Sequence, residues 1–358
     1  MTGESGLIVA STYGERGAST RVRLYDWLDH LDLDAERHEY VSTSDNSLST
    51  LARRAPQVVW GEVDLRRLRS RLSDRTLVVS RQVSPFSSGR VEQSLLRQAK
   101  HSIYDFDDAI WADTAHWSRA LWSKRSVWEK SVAAADVVIA GSTYLAEAAS
   151  RRSNNVVMIP SCVEPNRYLR KTNYELAGPP VAVWIGSAAT EPFLGELSGP
   201  LEDLNRQYGL RVKVISGSGS HLGAMESLVD RVPWSLDTFG ADLAGADFGL
   251  MPLPDTEYTR GKCSYKLLQY GAAGLPLIGT PVGANATVLE SMGGFAAINA
   301  ADWFEAISSI VDSTSQIRRE MGNRMHATVV SKFSFDAWET QWRDAVGISP
   351  KPTMTDGI

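Results

Sequence analysis

The sequence predicts an α/β protein built as two Rossmann-like halves, and three observations predict it. Short β-branched runs alternate with segments of helical spacing from residue 6 onward, the pattern of parallel sheets covered by helices on both faces. That pattern lapses between Asn166 and Pro180, where Gly178-Pro179-Pro180 marks a break, and then restarts. The length, 358 residues, also exceeds what a single hydrophobic core fills, roughly 250–300 residues.

Taken in order, residues 6–12 read as a strand, 14–20 as a glycine loop, and Leu24, Leu28 and Leu31 as one face of a helix. Segments 35–41, 57–60, 76–80 and 101–104 read as further strands. A helix over about 118–135 leads to a strand at 136–140, a helix at 144–151 and a strand at 156–160. The second half offers strands at 181–186, 212–216, 232–234, 248–252 and 275–279, with helices at 237–243 and 300–312 among them. Over 335–346, Trp338, Trp342 and Val346 share a helical stripe suited to packing back across the domain junction, and the tail from Ser349 has no apolar face. The expected domains are 1–172, 173–334, and a crossing helix with its tail, 335–358.

A net charge of −5 without a long basic run argues against a nucleic-acid partner. Cys162 and Cys263 are too few for a disulfide framework and lack a C-x-x-C partner, so both are expected reduced. No apolar run approaches 18 residues and no signal pattern opens the chain, which predicts a cytoplasmic protein with at most peripheral membrane contact. The lack of a strongly basic or amphipathic N-terminal face argues against a membrane-embedded acceptor and for a small soluble one. His101 and His116 do not stand at metal-ligand spacing, Ser218 is not in a G-x-S-x-G elbow, and a P-loop is absent.

Ligands of open α/β sheets bind beyond the carboxyl ends of the strands, and five stretches fall there. In the loop 14–21, Gly17 allows close backbone approach, and Ser19 and Thr20 suit a helix cap; a simple tight turn is the plainer reading. Asp105, Asp107 and Asp108 crowd one strand end beside Trp111. Asp105-Phe106-Asp107 matches a metal-binding D-x-D, and a solvated acidic turn stands beside that reading. Gly186 and Ser187 end a strand with small residues, while Ser216 to Ser220 could be a nucleotide-facing loop or plain linker. The fifth stretch, residues 255–283, carries Gly261, Lys262, Cys263 and Ser264 at a helix start, then Lys266 and Gln269. Unpaired amides at a helix start favour an anion, and two lysines beside them could pair with a diphosphate. The competing reading of Lys262 and Lys266 is a solvated helix face.

These residues resemble the GT-B glycosyltransferases, closest to family 4, the glycogen-synthase-like branch. The likeness rests on GASTRVR, YDFDDAIW, MIPSCVEPNRY, WIGS and above all GKCSYKLLQYGAAGLPLIGTPVG. It implies two domains facing a cleft and a sugar moved from a nucleotide-diphosphate donor to an acceptor hydroxyl. Retained configuration, no essential metal and no cofactor are further implications. Lys266, Lys262, Asp107 and Asp108 would then be catalytic. Gly17, Gly186, Ser187, Trp234, Gly261, Cys263, Ser264 and Gln269 would bind the donor, and Asp105, Arg81 and Trp111 the acceptor, a small molecule or glycan. Many members carry two glutamates where this chain has Gly261 and Gln269, and a basic pair where it has Ser187, Ala188 and Ala189. An idle nucleotide- or glycan-binding domain, or a nucleotide-sugar epimerase, is the alternative. Donor identity and oligomeric state are left open.

Overall fold

The apolar runs of the first half pair in parallel as β1 (Leu7–Tyr13), β2 (Glu36–Val41), β3 (Thr76–Ser80), β4 (His101–Phe106), β5 (Val137–Ala140) and β6 (Val156–Met158), in the order β2-β1-β3-β4-β5-β6. Strands β3, β4 and β5 are buried almost throughout, which is why they lack the alternation of a half-exposed strand. The computed structural model describes residues 6–15, 17–41, 48–112, 122–217, 219 and 221–349. Arg16, His116, the start of the expected helix at 118–135, Ser218, Ser220 and the tail beyond 349 lie outside them. Described residues of that helix form Lys124–Val132, capped by the Ser123 side chain on the Ser126 amide.

A second parallel sheet contains β7 (Val181–Gly186), β8 (Arg211–Ser216), β9 (Val229–Pro233), β10 (Phe248–Met251), β11 (Leu277–Gly279) and β12 (Phe295–Ala296), ordered β12-β11-β10-β7-β8-β9. Alternate side chains of β7 feed two cores. Val183 and Ile185 join Leu267, Leu268 and Met325 on one face, and Ala182 and Trp184 join Leu201, Val214 and Trp303 on the other. In each sheet the first strand is flanked by strands reached in opposite directions. The switch points therefore fall between β1 and β3 and between β7 and β10.

Strands β7 and β10 pair through Ala182 with Phe248 and Val183 with Gly249. Further along, the Tyr270 hydroxyl lies between them. It donates to the Leu250 carbonyl at 3.0 Å and accepts the Ile185 amide at 3.2 Å. A Cβ on Gly249 would sit 2.3 Å from the Tyr270 ring, so only glycine lets that ring reach the strands.

The compact units are Met1–Ser161 with Trp338–Ile358, and Cys162–Ala337, so they divide ahead of residue 172. Residues 163–174 contain little regular structure, but they are bound into the second unit. Val163 donates its amide to the Phe333 carbonyl at 2.9 Å, Tyr168 packs edge-on to Phe239, and Lys171 donates to the Ala246 carbonyl at 2.7 Å. The Tyr174 hydroxyl reaches the Gly274 carbonyl at 2.8 Å. A lapse of periodicity there marks an irregular strap, not a linker.

Residues 57–60 are not a strand. They lie in the helix Ala55–Arg69, which buries Leu65 and Leu68 and leaves Val59 and Trp60 in solvent. Local β propensity is overridden by a helical face that appears only when the following residues are counted. Helices Arg90–Gln98, Ala284–Met292 and Ser315–Lys332 also form where the sequence predicts no element, while the helix expected after Glu191-Pro192 forms as a turn, Pro192–Gly195, and then Ser198–Tyr208.

The helix Phe335–Val346 places Trp342 flat on Trp27, with centroids 5.2 Å apart and planes within 11°. Both indoles are fully buried. The Ala345 carbonyl accepts from His101 at 3.1 Å. Trp342→Ala should destabilise the chain by about 3–5 kcal/mol, read as an earlier denaturant midpoint; a shift under about 1 kcal/mol would show that this contact holds little together.

Candidate functional site

In the second unit the site is built at the carboxyl end of β10. The chain runs from Met251 through a turn of helix, Glu257–Arg260, whose start is closed by a reciprocal Thr256–Thr259 box. It then passes Gly261 to Ser264 and enters the helix Tyr265–Ala272. Ser264 is left-handed, φ +57°, a conformation that costs a residue with a Cβ on the order of 1–3 kcal/mol. It is fully buried, and its Oγ finds no hydrogen-bond partner among the described residues. Strain and an unsatisfied buried hydroxyl at the start of a helix, beside a switch point, make this loop the candidate site of the second unit. Gly283 supports it from the side: its φ is +57°, and a Cβ there would lie 2.2 Å from the Arg260 carbonyl oxygen.

Lys266 and Gly186, far apart in sequence, meet here. The Lys266 Nζ lies 5.2 Å from the centroid of the Trp184 ring, and a Cβ on residue 186 would be 2.8 Å from Lys266 Cε. Glycine at the end of β7 makes room for the lysine stem. Lys262 lies on Tyr258, its Nζ 2.8 Å from the hydroxyl and 4.2 Å from the ring centroid. Both lysines are half-buried rather than spread on a solvated face. Gly261, Cys263 and Gln269 are buried, with the Cys263 Sγ directed at the Gly261 carbonyl 3.9 Å away. Ser187 is exposed, and its carbonyl accepts the amides of Thr190 at 3.0 Å and Glu191 at 3.1 Å. Trp234 donates its amide to the Ser216 carbonyl at 3.1 Å and stacks with Phe239 at 6.3 Å.

Two neighbours of this site escape sequence reasoning. Tyr270 is read only as a helix residue, although its hydroxyl joins two strands. Glu191 is fully buried and receives Arg231 at 2.7 Å. A carboxylate directly after a run of small residues was the available signal, but its partner lies on another strand. A separate cavity of about 340 Å³ at the ends of β10 and β11 is lined by Leu253, Asp255, Thr280, Val282, Asn299 and Trp303 among others, and by neither lysine.

The first unit gathers polar residues around its own switch point. Gly17 is buried and a Cβ there would meet Tyr13 Cβ at 2.5 Å, so the loop turns tightly against β1. The helix that follows contains a π segment, Arg21–Tyr25, a local widening common at functional sites. From it Arg23 enters the interior and binds both oxygens of Asp105, at 2.6 Å for the shortest contact, with each side chain at most 2% exposed. Its other nitrogen donates to the Ile159 carbonyl at 3.0 Å. Burial raises the Asp105 carboxyl above its ordinary value, with Arg23 opposing.

Asp105 is therefore not a group that an acceptor can touch, and it is not half of a cation pair with Asp107. It is the buried counter-ion that fixes Arg23. Trp111 departs from expectation in the same way: it packs 4.4 Å from Trp128 and against Phe106 and Tyr144, leaving 8% exposed. Aromatic packing consumes the face an acceptor would need.

Arg81 stays at the surface of this cluster. It is left-handed, φ +59°, and its guanidinium reaches Ser19 Oγ at 2.9 Å, Asp108 at 3.2 Å and Asp107 at 3.8 Å. Asp107 and Asp108 lie just past the end of β4. The loop after Arg81 is pinned by Glu92, also missed from sequence: its carboxylate accepts the Val83 amide at 3.0 Å and the Ser87 hydroxyl.

Burial pushes the Glu92 carboxyl above its ordinary value of 4.5, against the bonds from Ser87 and Val83. A raised folded-state value means the protonated form is the one folding favours. Its contribution is whole below the unfolded value and fades as pH rises through the folded one. The stability of Glu92→Gln relative to wild type should therefore increase as pH rises above about 4.5. Chemical denaturation at several pH values checks this, and a pH-independent difference would count against it.

No protein-family model and no curated protein sequence matches the chain. Solved structures do. WaaG, a glycosyltransferase involved in lipopolysaccharide biosynthesis, superposes with a TM-score of 0.66 at 13% identity, covering 96% of this chain and 100% of that one. HepE from Anabaena, determined with UDP and glucose, gives 0.66 at 13% identity over 95% and 99%. An α,α-trehalose-phosphate synthase (UDP-forming) from Burkholderia vietnamiensis gives 0.65 at 11% over 96% and 100%. At such identities the likeness is one of fold, and that fold is GT-B, an α/β architecture of two Rossmann-like units.

Proposed function

We propose that the protein is a glycosyltransferase that moves a sugar from a nucleotide-diphosphate donor to an acceptor hydroxyl. The observation that carries this reading is the strained, buried helix start at Ser264, with Lys266 folded over Gly186 at the β7–β10 switch point. Cleaving a glycosyl–phosphate bond develops negative charge on the leaving diphosphate, and fixed donors aimed at that charge lower the barrier. The amides after Ser264 and the ammonium groups of Lys262 and Lys266 are those donors. Gln269 stands at the ribose end of the same helix, and Trp234 near the base. The family-4 assignment, retention of configuration and independence of metal belong to the same proposal, as does an acceptor that is a small molecule or a glycan. Asp107 and Asp108, held by Arg81 in the first unit, are its candidates for meeting the acceptor or transferred sugar.

UDP is the nucleotide to try first, because the HepE structure contains it and the Burkholderia synthase is described as UDP-forming. At 100 times its dissociation constant a true ligand adds about 2.7 kcal/mol of stability. Thermal unfolding with UDP, GDP and TDP should show that gain for one of them, and Lys266→Ala should lose most of it. No gain from any of the three would remove the donor-site reading. With the matching nucleotide sugar, Lys266→Ala should turn over on the order of 10²–10³ more slowly. Transfer should persist in EDTA; a loss that magnesium restores would overturn the metal-independent mechanism.

A further inference from the structure

Among the described residues, large apolar side chains exposed to solvent are scattered singly, except for one adjacent pair: Val59, 62% exposed, and Trp60, 64% exposed. Both lie on the helix Ala55–Arg69, whose inner face is Leu65 and Leu68. At helical spacing, Pro56, Val59, Trp60, Val63, Arg66 and Arg67 recur three and four residues apart and so share the outer face. All but the half-buried Val63 are exposed. The first part of that face is apolar and the last part is basic. Arg53, Arg54 and Arg69 add charge nearby, and none of these five arginines has an ion-pair partner among the described residues. The acids of the helix do not neutralise them, because Glu62 accepts from Tyr40 and Ser84 and Asp64 binds His38 at 2.9 Å.

An exposed tryptophan beside unpaired arginines, on a chain whose net charge is −5, makes a face that is apolar at one end and cationic at the other and that no described residue covers. The basic N-terminal face that the sequence reading does not find is thus formed by this helix. We infer that this face docks the first unit on an anionic lipid bilayer. The indole and Val59 enter the headgroup boundary, and Arg66 and Arg67 meet the anionic headgroups. No helix of the described residues is long and apolar enough to cross a membrane, so the contact is peripheral. A bilayer fits better than a duplex polyanion without an apolar layer, because duplex nucleic acid, its bases already stacked, would use the arginines and leave Val59 and Trp60 in water. The inference does not depend on the proposed transferase activity, and its test uses no sugar.

Co-sedimentation of the full chain with phosphatidylglycerol–phosphatidylcholine vesicles should pellet it, while pure phosphatidylcholine should not. Raising the salt should release it. Arg66→Gln with Arg67→Gln should weaken binding roughly 30-fold, at ~1 kcal/mol per arginine, and Trp60→Ser should also reduce it several-fold. These outward positions should leave the melting temperature within a degree or two of wild type, which separates lost docking from lost folding. Failure to pellet with anionic vesicles overturns the inference. So does binding indifferent to Trp60 and matched on duplex DNA, which would mark the face as a plain polyanion patch.

Discussion

Tyr270 sits where β7 and β10 cease to pair, and the geometry of the second unit's site depends on it. Its hydroxyl gives the Leu250 carbonyl and the Ile185 amide the partners that a neighbouring strand would otherwise supply. Unpaired, those buried backbone groups would cost about 1–3 kcal/mol each. The ring can reach that place only because residue 249 is glycine. Through the tyrosine the helix Tyr265–Ala272 is tied to both strands at once. The residue that precedes it, Ser264, is then held in a left-handed conformation it would not choose, and Lys266 is carried over the end of β7.

The first unit solves a similar problem with charge. A guanidinium and a carboxylate are both taken out of water, which is costly unless every lone pair and proton is met. Arg23 meets both Asp105 oxygens and the Ile159 carbonyl, so the pair links the π segment, β4 and the stretch after β6. Arg81 then faces Asp107, Asp108 and Ser19 above a settled floor. Glu92 holds the loop that Arg81 begins. The residues at the rim are positioned by acids that no ligand needs to touch.

What was legible in the sequence follows from the range over which each signal acts. Strands such as 76–80 and 181–186 announce themselves because a doubly buried strand is a continuous apolar run, readable within a few residues. The loop 261–266 was legible because glycine, helix start and lysine chemistry are likewise local. Residues 57–60 misled because Val-Val-Trp has strand composition, while the Leu65 and Leu68 that make the segment helical come later. Asp105 reads as a binding group in sequence because its partner, Arg23, is 82 positions away and nothing near either residue declares the pairing. Glu92 and Tyr270 act through backbone atoms, whose demand for partners has no trace in side-chain pattern. The strap 163–174 has no period at all, and its place in the second unit rests on single hydrogen bonds and on a few buried side chains, Val163, Tyr168 and Tyr174, with no regular spacing.

The stacking of Trp342 on Trp27 has a consequence for how the chain is made. The second unit is one continuous stretch, 162–337, whereas the first unit needs residues from both ends of the chain. During synthesis the amino-terminal sheet can form early, but its buried Trp27 waits for a partner encoded after the whole of the second unit. The later part of the chain can thus finish its core before the earlier part does. Closure of the first unit becomes a late step that reports completion of the second, and a ribosome stalled anywhere before residue 342 leaves an indole and its surrounding apolar surface open to chaperones.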